Sequence, residues 1–154
     1  MTNDQSHNEH GSSIIREVEF IVIQRKVRII GIAILLGIVM AYIFALFVSG
    51  DNINPEMAIL NLFSLIFCFA ICLSSFYVRR FFIKAINSNN FSNKYFTAYI
   101  ITFALCDAGG LLCIIINLVL NQNIVYATTG LIISVFCILI NFPRKEDLRL
   151  LNTR

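Results

Sequence analysis

Tryptophan is absent from the 154 residues, and charged side chains make up only 14% of them. No GxGxxG, P-loop, GxSxG or HExxH pattern occurs, which removes the common nucleotide-binding, serine-hydrolase and metalloprotease readings. No CxxC pair occurs either. Cys68, Cys72, Cys106, Cys113 and Cys137 all lie inside apolar runs, and the two histidines, His7 and His10, sit apart in the polar N-terminal segment. This distribution predicts no zinc site, no disulfide framework and no cofactor; thiols behaving as small hydrophobes are the expectation. The basic segments are short and border apolar runs. They read as topology determinants and contacts for anionic lipid headgroups, with no nucleic acid expected as a partner. A cleaved signal peptide is not expected, because the first apolar run begins only after Arg28, behind a segment that contains acids.

What is present in excess is apolar surface. Hydrophobic residues make up 58% of the chain, mean hydropathy is +0.79, and phenylalanine alone contributes 14 residues. Globular domains are about half apolar, so the excess points to a membrane. Four runs are long enough to cross a bilayer as helices, which takes roughly 20 residues: 29–49, 57–78, 95–120 and 124–142. Around them lie a polar tail over 1–13, expected to be disordered, a mixed juxtamembrane helix over 14–28, and a charged tail over 143–154. Asn54 followed by Pro55 predicts the start of the second helix. The loop at 121–123 is so short that the third and fourth spans must be antiparallel neighbours. The predicted fold is therefore all-α: a polytopic membrane protein built as a four-helix up-down bundle.

Orientation follows from the 12 lysines and arginines. Arg16, Arg25, Lys26 and Arg28 precede the first span, Arg79, Arg80, Lys84 and Lys94 lie between the second and third, and Arg144, Lys145, Arg149 and Arg154 follow the fourth. The other two loops have none. An even number of spans with both termini in the cytoplasm, in the cell membrane, satisfies the positive-inside rule. Tyr77, Tyr95 and Tyr99 are then expected in the cytoplasmic aromatic belt and Tyr126 in the outer one.

Asp107 is the exceptional residue. Apart from tyrosine and cysteine, it is the only ionisable side chain within a long apolar run, and it lies at the middle of the third span. A carboxylate at that depth costs about 2.5–3.5 kcal/mol on insertion scales, so the neutral form is expected unless water or a cation reaches it. No lysine or arginine lies at matching depth. Ala104, Ala108, Gly109 and Gly110 flank it, small enough to let another helix approach or to leave room for water. Counting from the span ends makes Ser134 the first candidate hydrogen-bond partner, with Tyr42 and Ser64 next; Asn117 lies at the outer end of the same helix.

The stretch KYFTAYIITFALCDAGGLLCIIINLVLNQN resembles the third span of a family of small, uncharacterised bacterial four-helix membrane proteins, and the closing FPRKEDL resembles the end of their last span. The Ala-Leu-x-acid core is also similar to the ion-carrying helix of the proteolipid c subunit of rotary ATP synthases. There a membrane-buried carboxylate takes up and releases a proton or sodium ion. The second span, LNLFSLIFCFAICLSS, departs from that subunit in lacking its glycine repeat.

Two functions are compatible with these residues. The first is a structural or interaction protein of the bacterial inner membrane, with Asp107 as a packing hydrogen bond. The alternative, implied by the second resemblance, is a proton- or sodium-handling transporter or proteolipid-like subunit with Asp107 as the ion-binding carboxylate. Either reading is compatible with a homo-oligomer, because four helices enclose only a small core. A single carboxylate with no second acid, base or metal ligand predicts no enzyme.

Overall fold

The structure is a computed structural model and describes residues 4–49, 58–84, 91–144 and 147. Those residues are helical with short connections and contain no strand. The first helix, α1, runs Asp4–Val48; α2 is Ala58–Lys84, α3 is Phe91–Ile114, and α4 is Ile124–Ile140. A π-helical segment, Ile115–Leu120, continues α3. The stretches 18–48, 59–84 and 92–120 are helices long and apolar enough to cross a membrane, which points to a membrane location; α4 is apolar and shorter.

Two differences from the sequence expectation concern helix ends. The segment expected to be disordered before residue 14 is helical from Asp4 onward. Once a helix is nucleated by a stable apolar stretch, each further residue adds a backbone hydrogen bond without a new nucleation penalty, and no proline stops it here. The Asn54–Pro55 start of α2 lies outside the described residues, as does most of the 143–154 tail.

The second difference is the widened end of the third span. Asn117 Nδ2 donates to the Cys113 carbonyl at 2.8 Å, occupying the acceptor that an α-helix would give to the Asn117 amide. The coil widens from there, and the Asn117 carbonyl accepts from the Asn123 amide at 2.5 Å. The Leu118 carbonyl takes a hydrogen bond from Ser49 Oγ at 2.9 Å, which ties the end of α1 to the same turn. Gln122 then reverses the chain with φ 53°, and Asn123 caps α4 by accepting from the Tyr126 amide. The short reversal makes α3 and α4 antiparallel neighbours. The helix runs unbroken through Gly109 and Gly110.

Packing is centred on α3, which touches α1, α2 and α4, whereas α1 and α2 scarcely meet. Close approach is set by glycine. A Cβ on Gly110 would lie 2.7 Å from Ser134 Oγ and would also strike Ile38, and one on Gly130 would strike Cys113 Sγ. Small residues at a crossing let backbones come together without a side chain between them, the usual device when lipid supplies no hydrophobic drive. One cluster gathers Phe20, Ile23 and Val27 of α1 under Tyr95, Tyr99 and Phe103 of α3. A second joins Ile38, Ala45, Ile114, Leu118 and Ala127 nearer the 121–123 loop. Polarity is inverted relative to a water-soluble fold: Phe47 is 85% exposed while Asn117 and Ser134 are fully buried.

Candidate functional site

Asp107 lies on α3 where that helix meets α1 at the outer surface of the bundle. On the same stripe, Phe103 approaches Gly31 and Gly110 approaches Ile38, both residues of α1. Asp107 is half-buried between them. Between Gly31 and Tyr42, α1 has only apolar side chains. Among the described residues Asp107 makes no hydrogen bond and no ion pair. Its neighbours Ala104 and Ala108 face outward.

The residues expected to support it are engaged elsewhere. Ser134 Oγ donates to the Cys106 carbonyl at 2.7 Å. Tyr42 Oη shares a 2.6 Å hydrogen bond with Thr128 Oγ1. Ser64 Oγ donates to the Asn61 carbonyl at 2.8 Å and accepts from Asn117 Nδ2 at 2.6 Å. Of the candidate set, Ser64 and Asn117 therefore meet each other, and none meets Asp107. Gly109 packs against Ile71 of α2 and Gly110 against Ser134 and Ile38, so both serve helix approach. The reason is rotational. Cys106 and Gly110 face the inside of the bundle; Asp107, one residue on from Cys106, is turned by about 100° toward α1 and the surface.

The inside of the bundle holds a second site that the sequence reading did not assemble. A column of polar groups and thiols runs between α2, α3 and α4. At the loop end Ser64, Asn117 and Cys113 are joined, with Asn117 Nδ2 3.3 Å from Cys113 Sγ; the buried Asn61 and Asn117 Oδ1 atoms have no hydrogen-bond partner among the described residues. Cys68 Sγ donates to the Gly130 carbonyl of α4 at 3.9 Å. Cys72, Cys106 and Cys137 follow, one from each helix, with their sulfurs all within 4.8 Å of one another. Below them, Ser75 Oγ is 3.4 Å from the sulfurs of both Cys106 and Cys137. Asn141 Nδ2 reaches Ser75 Oγ at 3.4 Å and the Cys137 carbonyl at 3.0 Å. All five cysteines are free thiols.

The column ends on a clamp that holds the start of the C-terminal tail. Asp147, 7% exposed, accepts through Oδ2 from Tyr99 Oη at 2.5 Å, from Tyr95 Oη at 3.1 Å and from the Arg144 amide at 3.2 Å. Arg79 spans the two: Nη1 donates to Asn141 Oδ1 at 3.3 Å and Nη2 lies 3.9 Å from Asp147 Oδ1, with the guanidinium 5.2 Å from the Tyr99 ring centre. Arg28 of α1 donates to the Pro143 carbonyl at 3.2 Å. Tyr95 and Tyr99, expected in an aromatic belt, are buried here because Asp147 offers their hydroxyls an acceptor that lipid cannot.

A signal for the column exists in the sequence. Ser64, Cys68, Cys72 and Ser75 recur at helical spacing on α2, Cys106, Cys113 and Asn117 on α3, and Gly130, Ser134, Cys137 and Asn141 on α4. In a chain of this composition the periodic polar and small residues mark the inward face. No family model matches the chain, and no curated protein or solved structure is significantly similar to it.

Proposed function

We propose that this chain is a four-span integral membrane protein with both termini cytoplasmic, and that it works by helix association, pairing with a second copy of itself through α3. The observation that carries this reading is the mid-span carboxyl without a partner among the described residues of its own bundle. An unsatisfied carboxyl facing lipid is unfavourable by about 2.5–3.5 kcal/mol. A neutral carboxyl is at once donor and acceptor, so two of them satisfy each other across a two-fold axis, where the same residue meets itself. Ala104 and Ala108 face outward one turn apart, the small-xxx-small spacing that allows a close crossing. The topology rests on the grouping of all 12 basic residues at one end of the spans, where they meet anionic headgroups.

The test is energy transfer between differently labelled copies in liposomes as protein is diluted by lipid. Asp107→Asn retains donor and acceptor and keeps most of the association. Asp107→Leu weakens it by roughly 5- to 30-fold, the equivalent of the 1–2 kcal/mol measured for such hydrogen bonds in model helices, and Ala108→Leu blocks the crossing sterically. Association that ignores both leucine variants would overturn the reading. The proton- or sodium-carrying alternative draws on the same half-exposed carboxyl. It requires carbodiimide labelling of Asp107 that sodium or high pH suppresses, and loss of function in Asp107→Asn.

A further inference from the structure

Three cysteines widely separated in sequence, each from a different helix, converge on one point inside the bundle. Chance hydrophobic packing of thiols does not require their sulfurs to face one another, yet Cys72, Cys106 and Cys137 do so within 4.8 Å, and Cys106 and Cys137 are 3.1 Å apart. A metal bound at ~2.3 Å from each of three sulfurs needs them roughly 4 Å apart, which this cluster meets with little movement. We propose that Cys72, Cys106 and Cys137 form a three-sulfur site for a soft monovalent cation, Cu(I).

The donor set selects the ion. Thiolates favour Cu(I) and zinc over hard cations. Structural zinc takes four ligands, almost always tetrahedral. Among the described residues no histidine or carboxylate joins the three thiols. Three-coordinate Cu(I) is therefore the better match. Ser75 and Asn141 form the outer shell, with Ser75 Oγ 3.4 Å from two of the sulfurs and Asn141 Nδ2 3.6 Å from Cys137 Sγ. Asn141 can donate to a sulfur that has become negative, which orients and stabilises a thiolate ligand, and Ser75, whose hydroxyl donates to the Cys72 carbonyl at 2.7 Å, can do so by turning that one O–H. Each thiol that ligates as thiolate releases one proton to solvent, and the copper stays Cu(I) throughout, so no oxidant or reductant enters the step. The remaining thiols lie further along the column toward the 121–123 loop: Cys68 Sγ donates to the Gly130 carbonyl at 3.9 Å, and Cys113 Sγ is 4.0 Å from Ser64 Oγ. Toward the tail, Asn141 and Arg79 make the polar end of the same column.

The test uses the full chain in lipid nanodiscs, with ascorbate keeping copper reduced and the coloured Cu(I)–bicinchoninate complex as the metal source. The expected result is one Cu(I) withdrawn per chain, with X-ray absorption giving sulfur neighbours alone at ~2.3 Å. Cys72→Ala and Cys137→Ala should lower affinity by more than the ~100-fold that loss of an outer-shell group can produce. Cys137→Ser, whose hydroxyl keeps the hydrogen bonds but not the soft donor, should fold with an unchanged melting curve and lose copper equally. Cys113→Ala should bind as the parent chain does. Copper uptake no greater than that of a chain lacking all three cysteines would overturn the site. So would Cys113→Ala as damaging as Cys137→Ala, or Zn(II) displacing Cu(I) at equal concentration.

Discussion

Asp107 and Asp147 are the same side chain in opposite surroundings. Asp107 belongs to the centre of a long apolar helix, is half-buried, and makes no hydrogen bond or ion pair with the described residues. Asp147 belongs to a tail that composition alone would leave in water, yet it is 7% exposed and accepts from two tyrosine hydroxyls and a backbone amide. Depth along the helix therefore does not decide which carboxyl is held. The face does. Tyr95, Tyr99, Cys106 and Asn117 are on the inward stripe of α3 and all have partners; Asp107 is off that stripe and has none. The carboxyl inside the bundle is held by three donors, and among the described residues the one at its edge is held by none.

The largest effect that would break this contrast is at the clamp. Asp147→Ala should destabilise the bundle by about 3–5 kcal/mol, because Arg79 and two buried hydroxyls lose their acceptor together. Unfolding by denaturant in mixed micelles checks it, and a change below ~1 kcal/mol would mean that the tail is not held as described. Asp107→Leu should act in the opposite sense. Membrane insertion of α3 should improve by about 2.5–3.5 kcal/mol, read in a translocon insertion assay, with no loss of monomer stability. Tyr99→Phe sharpens the contrast at intermediate size. It removes one hydrogen bond to a charged acceptor, about 1.5–3 kcal/mol, and a double-mutant cycle with Asp147→Ala should give strong coupling, whereas Tyr99→Phe with Asp107→Leu should be additive. The smallest effects belong to Tyr42→Phe, which loses the Thr128 hydrogen bond and about 0.6 kcal/mol, and to Asp107→Asn, which should leave monomer stability unchanged. Measurable coupling between Asp107 and Ser134 would contradict the separation of the two sites, since Ser134 is committed to the Cys106 carbonyl.

Helix positions were legible because an apolar run of spanning length has one backbone solution. In hydrocarbon every amide must be satisfied within its own segment, and a helix does this whatever its neighbours are. The predicted runs 29–49, 57–78 and 95–120 overlap the long apolar helices at 18–48, 59–84 and 92–120, and 124–142 overlaps α4, Ile124–Ile140. Matching depth by counting residues was less informative. It placed Ser134 level with Asp107 and so suggested a bond, but a hydrogen bond also needs the two side chains to face each other, and depth carries no rotational information.

The same distinction separates what belongs to the chain and what belongs to the bundle. The sequence alone determined that the protein is helical and apolar, where its helices lie, that its basic residues are grouped, and that one carboxyl sits at mid-span, because each of these is a property of a single segment. Only the tertiary structure decided that Asp107 is turned away from Ser134, that Cys72, Cys106 and Cys137 meet, and that Asp147 folds in beneath Tyr95 and Tyr99. Those pairings depend on how three helices cross at Gly110 and Gly130. A rotation of one helix by a single residue, about 100°, would replace every one of them while leaving each segment's own hydrophobicity and hydrogen bonding unchanged.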